Sequence, residues 1–133
     1  MRFIVAYIVT AVVFLGLDAI WLTQIALGMY RRELSALLLD KPNLPIAGLF
    51  YLLFVVGIVV LAILPALNGG SWLNALLMGA VLGLVAYGTY DITNLSTLKN
   101  WSLTVTIADL AWGSALTAVS ATVGYLAVTW FRL

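Results

Sequence analysis

The chain has 133 residues, of which 65% are hydrophobic and only 8% are charged. A soluble globular domain carries about 25% charged residues, so this composition excludes a soluble protein and indicates an integral membrane protein, organised as one domain over residues 1–133. The net charge of +1 gives no case for nucleic-acid binding. The lack of cysteine and histidine excludes disulfides, thiol nucleophiles and histidine ligands to a metal.

Four segments are long and apolar enough to cross a bilayer as helices, which takes about 20 residues each. The first is too long for the apolar region of a signal peptide. Pro45 suits the first turn of the second span, Pro65 is expected to help end it, and residues 68–71 form a turn before the third. The sequence therefore predicts an all-α bundle of four transmembrane helices, with spans at about residues 3–27, 44–64, 72–98 and 103–131.

The connection between the first two spans, residues 30–41, reads YRRELSALLLDK. Leu34, Leu37 and Leu38 recur at helical spacing behind Arg31 and Arg32. This pattern fits a short helix lying in the membrane interface. It fits equally an ordinary loop whose basic residues contact anionic lipid.

The distribution of basic residues predicts how the chain is oriented. Four spans place both termini on one side of the membrane, which carries two basic residues, Arg2 and Arg132. The opposite side carries four, namely Arg31, Arg32, Lys41 and Lys99. Because loops rich in Lys and Arg stay in the cytoplasm, we expect the termini to be periplasmic.

Three of the five acidic residues, Asp18, Asp91 and Asp109, lie within predicted spans. Each span has one end on the side of the membrane opposite the chain termini. At 1.5 Å per helical residue, Asp18, Asp91 and Asp109 are roughly 14, 10 and 9 Å from that end. A carboxylate at mid-membrane costs about 2.5–3.5 kcal/mol on the insertion scale. We therefore expect all three to face the bundle interior at a similar level.

Small and polar residues share helix faces with these acids. Gly79 and Gly83, four residues apart, let a neighbouring helix backbone approach closely, whereas the second span has little polarity apart from Tyr51 and serves as a wall. The predicted inner faces are Thr10, Phe14, Asp18 and Trp21 on the first span; Gly79, Gly83, Tyr87, Tyr90, Asp91 and Asn94 on the third; and Thr106, Asp109, Gly113, Thr117, Ser120 and Gly124 on the fourth.

These faces predict a polar pocket that binds a ligand. The spacing Asp-x-x-Trp occurs twice, at residues 18–21 and 109–112, on spans that run in opposite directions, which fits an inverted repeat. Buried polar residues also join membrane helices by hydrogen bonds worth about 0.6 kcal/mol each, so a purely structural role stays open. The candidate pocket residues are Asp18, Trp21, Tyr87, Tyr90, Asp91, Asn94, Asp109 and Trp112.

Several short motifs follow one another along the chain. They are Leu17-Asp18-Ala-Ile-Trp21, Asp40-Lys41-Pro42-Asn43-Leu44, Tyr90-Asp91-Ile-Thr-Asn94-Leu-Ser-Thr-Leu-Lys99-Asn-Trp101 and Asp109-Leu-Ala-Trp112-Gly113. With these motifs the whole chain resembles a family of short bacterial membrane proteins known as domain of unknown function 2177. The resemblance implies a four-helix protein of the bacterial inner membrane, and it implies no particular activity, substrate or cofactor.

Three functions remain open from the residues. The first is a small transporter or ion-binding protein whose buried acids bind a proton or another cation, with a homodimer through the glycine faces completing the pathway. The second is a non-catalytic protein that binds lipid or pigment or assembles into a larger complex. The third is a membrane enzyme acting on a lipid, with aspartates as an acid–base pair or as Mg²⁺ ligands.

We expect the first of these functions and expect no catalytic residues. No nucleophile elbow, Walker loop or Asp-Asp pair is visible in the sequence. The expected partner is the lipid bilayer, with a small ligand or cation of unknown identity and no cofactor.

Overall fold

A computed structural model of the chain describes residues 1–39 and 43–133, in which every regular element is helical. Four helical segments are long and apolar enough to cross a membrane: Arg2–Ile25, Leu44–Leu67, Trp72–Thr97 and Leu103–Trp130. The predicted four-helix membrane fold is therefore confirmed, and each segment ends within three residues of the predicted position. Asp40, Lys41 and Pro42, which belong to one motif and to the charge comparison, lie outside the described residues.

The first span bends before it reaches its connection. Helix α1 (Arg2–Ile20) passes into a π-helical turn, Trp21–Ile25, which a hydrogen bond of 2.7 Å from the Ala26 N–H to the Trp21 carbonyl closes. Helix α2 (Leu27–Leu34) follows at once. Of the two alternatives left open for this connection, the short helix is the one observed, and it ends at Leu34. Leu37 and Leu38 come after it and are exposed.

The second span contains a proline that does not end it. The Asn43 side chain caps α3 (Leu44–Ile58) by accepting a 3.2 Å hydrogen bond from the Ile46 N–H, and Pro45 lies in the first turn as predicted. A π turn, Val59–Ile63, then leads into α4 (Leu64–Leu67). The expectation that Pro65 ends the span was wrong. A proline ring clashes with the carbonyl four residues earlier in an α-helix, and the wider π turn ahead of it leaves room.

Helices α5 (Trp72–Thr97) and α6 (Leu103–Trp130) form an antiparallel hairpin. The Ser71 N–H donates to Asn74 Oδ1 at 2.8 Å, and Ser102 Oγ accepts from the Val105 N–H at 3.1 Å. Asn100 turns the short link with φ of 63°, a left-handed conformation that asparagine tolerates better than most residues. Side-chain caps therefore define where both helices begin.

Helix α6 is the most enclosed of the four spans. It packs against α5 along much of its length and against α1, α1 packs against α3, and the π turn of the second span contacts both α5 and α6. Phe14 anchors the apolar part of the core, with its ring 5.5 Å from that of Phe54 and 5.7 Å from that of Tyr51. The three aspartates of α1, α5 and α6 lie beyond Phe14, toward the α5–α6 link.

Glycines bring α5 and α6 into backbone contact, as the sequence predicted. A Cβ atom at Gly79 would lie 2.8 Å from the Thr117 carbonyl oxygen, and one at Gly83 would overlap the backbone of Gly113. On the other side of α6, the Thr10 hydroxyl packs so closely against Gly124 that a Cβ atom there would overlap it. These glycine faces are thus used for contacts inside the chain. A homodimer stays a prediction.

Substituting Gly83 tests this contact. We expect Gly83→Ala to lower the free energy of unfolding by about 1–3 kcal/mol, because overpacking of a tight contact outweighs a gain in helix propensity of up to about 1 kcal/mol. Gly57→Ala is the matched control, since nothing lies within 4 Å of a Cβ there. Unfolding of both variants in detergent micelles provides the comparison. Equal stability of the two variants would contradict the close approach.

Candidate functional site

The three aspartates of the spans are buried and lie together. Their side chains are 0% exposed for Asp91, 5% for Asp18 and 8% for Asp109. They come from α5, α1 and α6 respectively, and Asp109 is close enough to interact with both of the others. The structure thus brings the predicted acids into one cluster inside the bundle, in helices of membrane-spanning length.

Asp18 receives its hydrogen bond from another helix. Trp112 Nε1 on α6 donates to Asp18 Oδ1 at 3.1 Å, and the Tyr51 hydroxyl of α3 lies beside the same carboxyl group. The sequence placed Trp112 in the site but left Tyr51 in an apolar wall. The one signal available was that Tyr51 is an isolated hydroxyl in an otherwise apolar stretch of the second span.

Asp109 is held through a tyrosine that the sequence analysis missed. The Tyr30 hydroxyl on α2 donates to Asp109 Oδ1, and Trp21 Nε1 donates to the Tyr30 oxygen at 3.2 Å. The Trp21 and Trp112 rings stack with centroids 4.6 Å apart and planes 6° apart. The two Asp-x-x-Trp motifs therefore face each other, and their indoles meet.

Tyr30 remains a hydrogen-bond donor at high pH. Burial raises the pKa of its hydroxyl well above the usual value of about 10, and the bond to the Asp109 carboxylate raises this pKa further. Its position depends on the π turn and bend that return α2 to the bundle, because Tyr30 precedes the second span by fourteen residues. Helical periodicity within the spans gave no signal for it.

Asp91 differs from the other two acids in its hydrogen bonding. Among the described residues, none donates a hydrogen bond to either of its oxygens, although both oxygens are buried. The carboxyl group of Asp109 lies close enough to interact with it. Two adjacent carboxylates in a dry site repel each other, and a hydrogen bond between them requires that one carries a proton. This pair can therefore hold a proton.

Three further candidate residues are placed differently. Tyr87 packs its ring on Gly113 and lies near Asp18 and Asp109, within the cluster. Asn94 is half-buried next to the Tyr90 hydroxyl. The expectation that Tyr90 faces the interior was wrong. It is 59% exposed because it lies one residue before the fully buried Asp91 and is therefore turned about 100° away from it around α5. The Trp101 ring stands nearly perpendicular to the Tyr90 ring at a centroid distance of 5.8 Å.

The model of a family described as "Predicted membrane protein (DUF2177)" matches residues 3–126. The match contains all three buried aspartates and both Asp-x-x-Trp motifs. No curated protein and no solved structure matches the chain.

The stacked indoles provide a spectroscopic test of the cluster. We expect the folded protein to show an exciton couplet in circular dichroism, because two parallel indole rings at van der Waals distance couple electronically. Trp21→Phe and Trp112→Phe should each abolish it. Trp130→Phe should leave it unchanged, since Trp130 is 82% exposed at the end of α6. A couplet that survives both core substitutions would contradict the stack.

Proposed function

The chain belongs to the DUF2177 family of predicted membrane proteins, and from that premise we propose that it is a small proton-binding transporter. In this proposal Asp91 and Asp109 hold one proton between them. The pair releases this proton and takes up another as protons cross the bundle. The observation that carries the proposal is the complete burial of Asp91 beside Asp109 with no donor from the described residues.

A proton fits this pair better than a metal ion does. In the part of the chain that the structure describes, no group of three or more His, Cys, Asp or Glu residues is arranged to hold a metal. A proton needs only two oxygens, and it removes one of two like charges while supplying the missing hydrogen bond. The amino-acid composition supports the same choice, because the chain has no histidine or cysteine to complete a metal site.

Buried hydroxyl groups support transport over a purely structural role. Beyond the acids, Thr117 and Ser120 on α6 and Thr10 on α1 are fully buried, and their oxygens have no partner among the described residues. Thr117 lies about 12 Å further along α6 from Asp109, at 1.5 Å per residue. These hydroxyls continue the polar face from the aspartate cluster toward the opposite end of the bundle, which is where a proton path would lead.

We further propose that the protein resides in the bacterial inner membrane with periplasmic termini. The reason is the larger number of basic residues in the connections at the α2 end, such as Arg31, Arg32 and Lys99. In this orientation the aspartate cluster lies nearer the cytoplasm and the unpaired hydroxyls nearer the periplasm.

Infrared spectroscopy tests proton binding directly. We expect the purified protein to show the carbonyl stretch of a protonated carboxylic acid at neutral pH, because the pair cannot ionise fully without placing two charges together. Asp91→Asn should remove this band. Glu33→Gln is the matched control, because Glu33 is an exposed acid on α2. Absence of the band from the unmodified protein, or its persistence in Asp91→Asn, would overturn the proposal.

Proton flux tests transport separately. Liposomes are loaded with a pH-sensitive dye, and a potassium gradient with valinomycin sets the membrane potential. The pH of their interior should change faster when they contain the protein. Asp91→Asn should reduce this flux to that of protein-free liposomes, and Glu33→Gln should not. If infrared spectra show the shared proton but the unmodified protein gives no flux, the aspartate pair binds a proton without transporting it.

A further inference from the structure

Helix α2 is attached to the bundle at few points. Leu27, Gly28, Arg31, Arg32 and Glu33 are exposed on it. The buried or half-buried side chains here are Ala26 just before the helix, Met29 and Tyr30 within it, and Leu34 at its end. Of these four, only Tyr30 makes a hydrogen bond from its side chain to another helix. Tyr30 thus provides the polar attachment of α2 to the aspartate cluster.

The Tyr30 bond acts on one member of the aspartate pair only. A hydrogen bond donated to a carboxylate favours its charged form, and Trp21 donating to the Tyr30 oxygen strengthens Tyr30 as a donor. Asp109 therefore receives stabilisation as an anion, and Asp91 receives none from the described residues. This difference makes Asp91 the better place for the shared proton.

We propose that Tyr30 is the positioning residue that keeps the shared proton on Asp91, and that the same hydrogen bond fastens α2 over the aspartate pair. This inference rests on the proposed proton binding. Besides the pair and Tyr30, the titratable groups near the site are Asp18 on α1, Tyr51 on α3, and Tyr87 and Tyr90 on α5.

A change in the proton's position alters this attachment. When the proton passes from the Asp91 carboxyl oxygen to the Asp109 carboxylate, Asp91 becomes the anion and Asp109 becomes neutral. Tyr30 keeps its own proton throughout but loses its charged acceptor. A hydrogen bond to a neutral acceptor is about half as strong as one to a charged group, so α2 is held less tightly at the cluster and leaves it more often. Protonation of Asp109 and release of α2 are therefore coupled.

Combining two substitutions tests which carboxyl holds the proton. Asp91→Asn should lack the infrared band of a protonated acid, because Tyr30 keeps Asp109 ionised. Tyr30→Phe combined with Asp91→Asn should regain a band, because Asp109 is then buried without that donor. Tyr7→Phe with Asp91→Asn is the control and should lack the band, since the Tyr7 hydroxyl bonds to the Leu52 carbonyl at 3.0 Å, away from the site.

The outcomes separate the two proposals. If the band is present in the unmodified protein, is lost in Asp91→Asn and stays lost after Tyr30→Phe is added, then Tyr30 does not position the proton and only this inference fails. If the unmodified protein has no band, the proposed proton binding fails, and the role of Tyr30 fails with it. Trp21→Phe, which keeps the Tyr30 hydroxyl but removes its donor, should regain a weaker band in the Asp91→Asn background.

Thiol labelling tests the attachment of α2. The chain has no native cysteine, so Leu34→Cys introduces a single thiol at a position that is 7% exposed. Its reaction with a water-soluble maleimide should be slow, and Tyr30→Phe should accelerate it. Leu39→Cys, at a position that is 70% exposed, should react rapidly in both backgrounds. An unchanged rate for Leu34→Cys in the Tyr30→Phe background would show that Tyr30 does not hold α2 in place.

Discussion

The burial of three carboxyl groups together constrains the rest of the bundle. Removing a carboxylate from water costs several kcal/mol unless donors replace the lost hydration. In the described part of the chain, the donors supplied are one indole and one phenol, from Trp112 and Tyr30. Each offers a single N–H or O–H on an otherwise apolar ring, so it satisfies an acid without adding a charge to an apolar interior. Asp91 receives neither, which makes it the member of the cluster best suited to holding a proton.

The two Asp-x-x-Trp motifs show how far internal symmetry extends. Trp112 on α6 reaches Asp18 on α1 directly, whereas Trp21 reaches Asp109 only through the Tyr30 hydroxyl. The two halves of the cluster therefore contain the same residue types, an aspartate and a tryptophan, but their hydrogen bonds differ. That difference gives the two acids unequal donors, and it arises because a tyrosine from α2 enters one half alone.

Much of this arrangement could be predicted from the sequence, for definite reasons. Apolar length fixed the four spans, and the recurrence of small residues identified the α5–α6 contact at Gly79 and Gly83. The role of Tyr30 could not be predicted, because it depends on a π turn that shifts the helix register and on a bend outside the spans. Tyr90 was misplaced because it lies at the margin of the predicted face, one residue from the buried Asp91, and periodicity does not say how wide the buried face is.

The π turn at Val59–Ile63 separates two helical registers within one span. A π turn accommodates one residue more than an α turn, so the residues on either side of it keep their inward faces despite the extra residue. Elsewhere in a helix, deleting one residue rotates everything beyond it by about 100° and turns core side chains outward. Residues 59–63 are therefore where the second span can lose one residue while both flanking segments keep the same neighbours. Closing the π turn into an ordinary α-helix also requires replacement of Pro65, because its ring would then clash with the carbonyl four residues earlier.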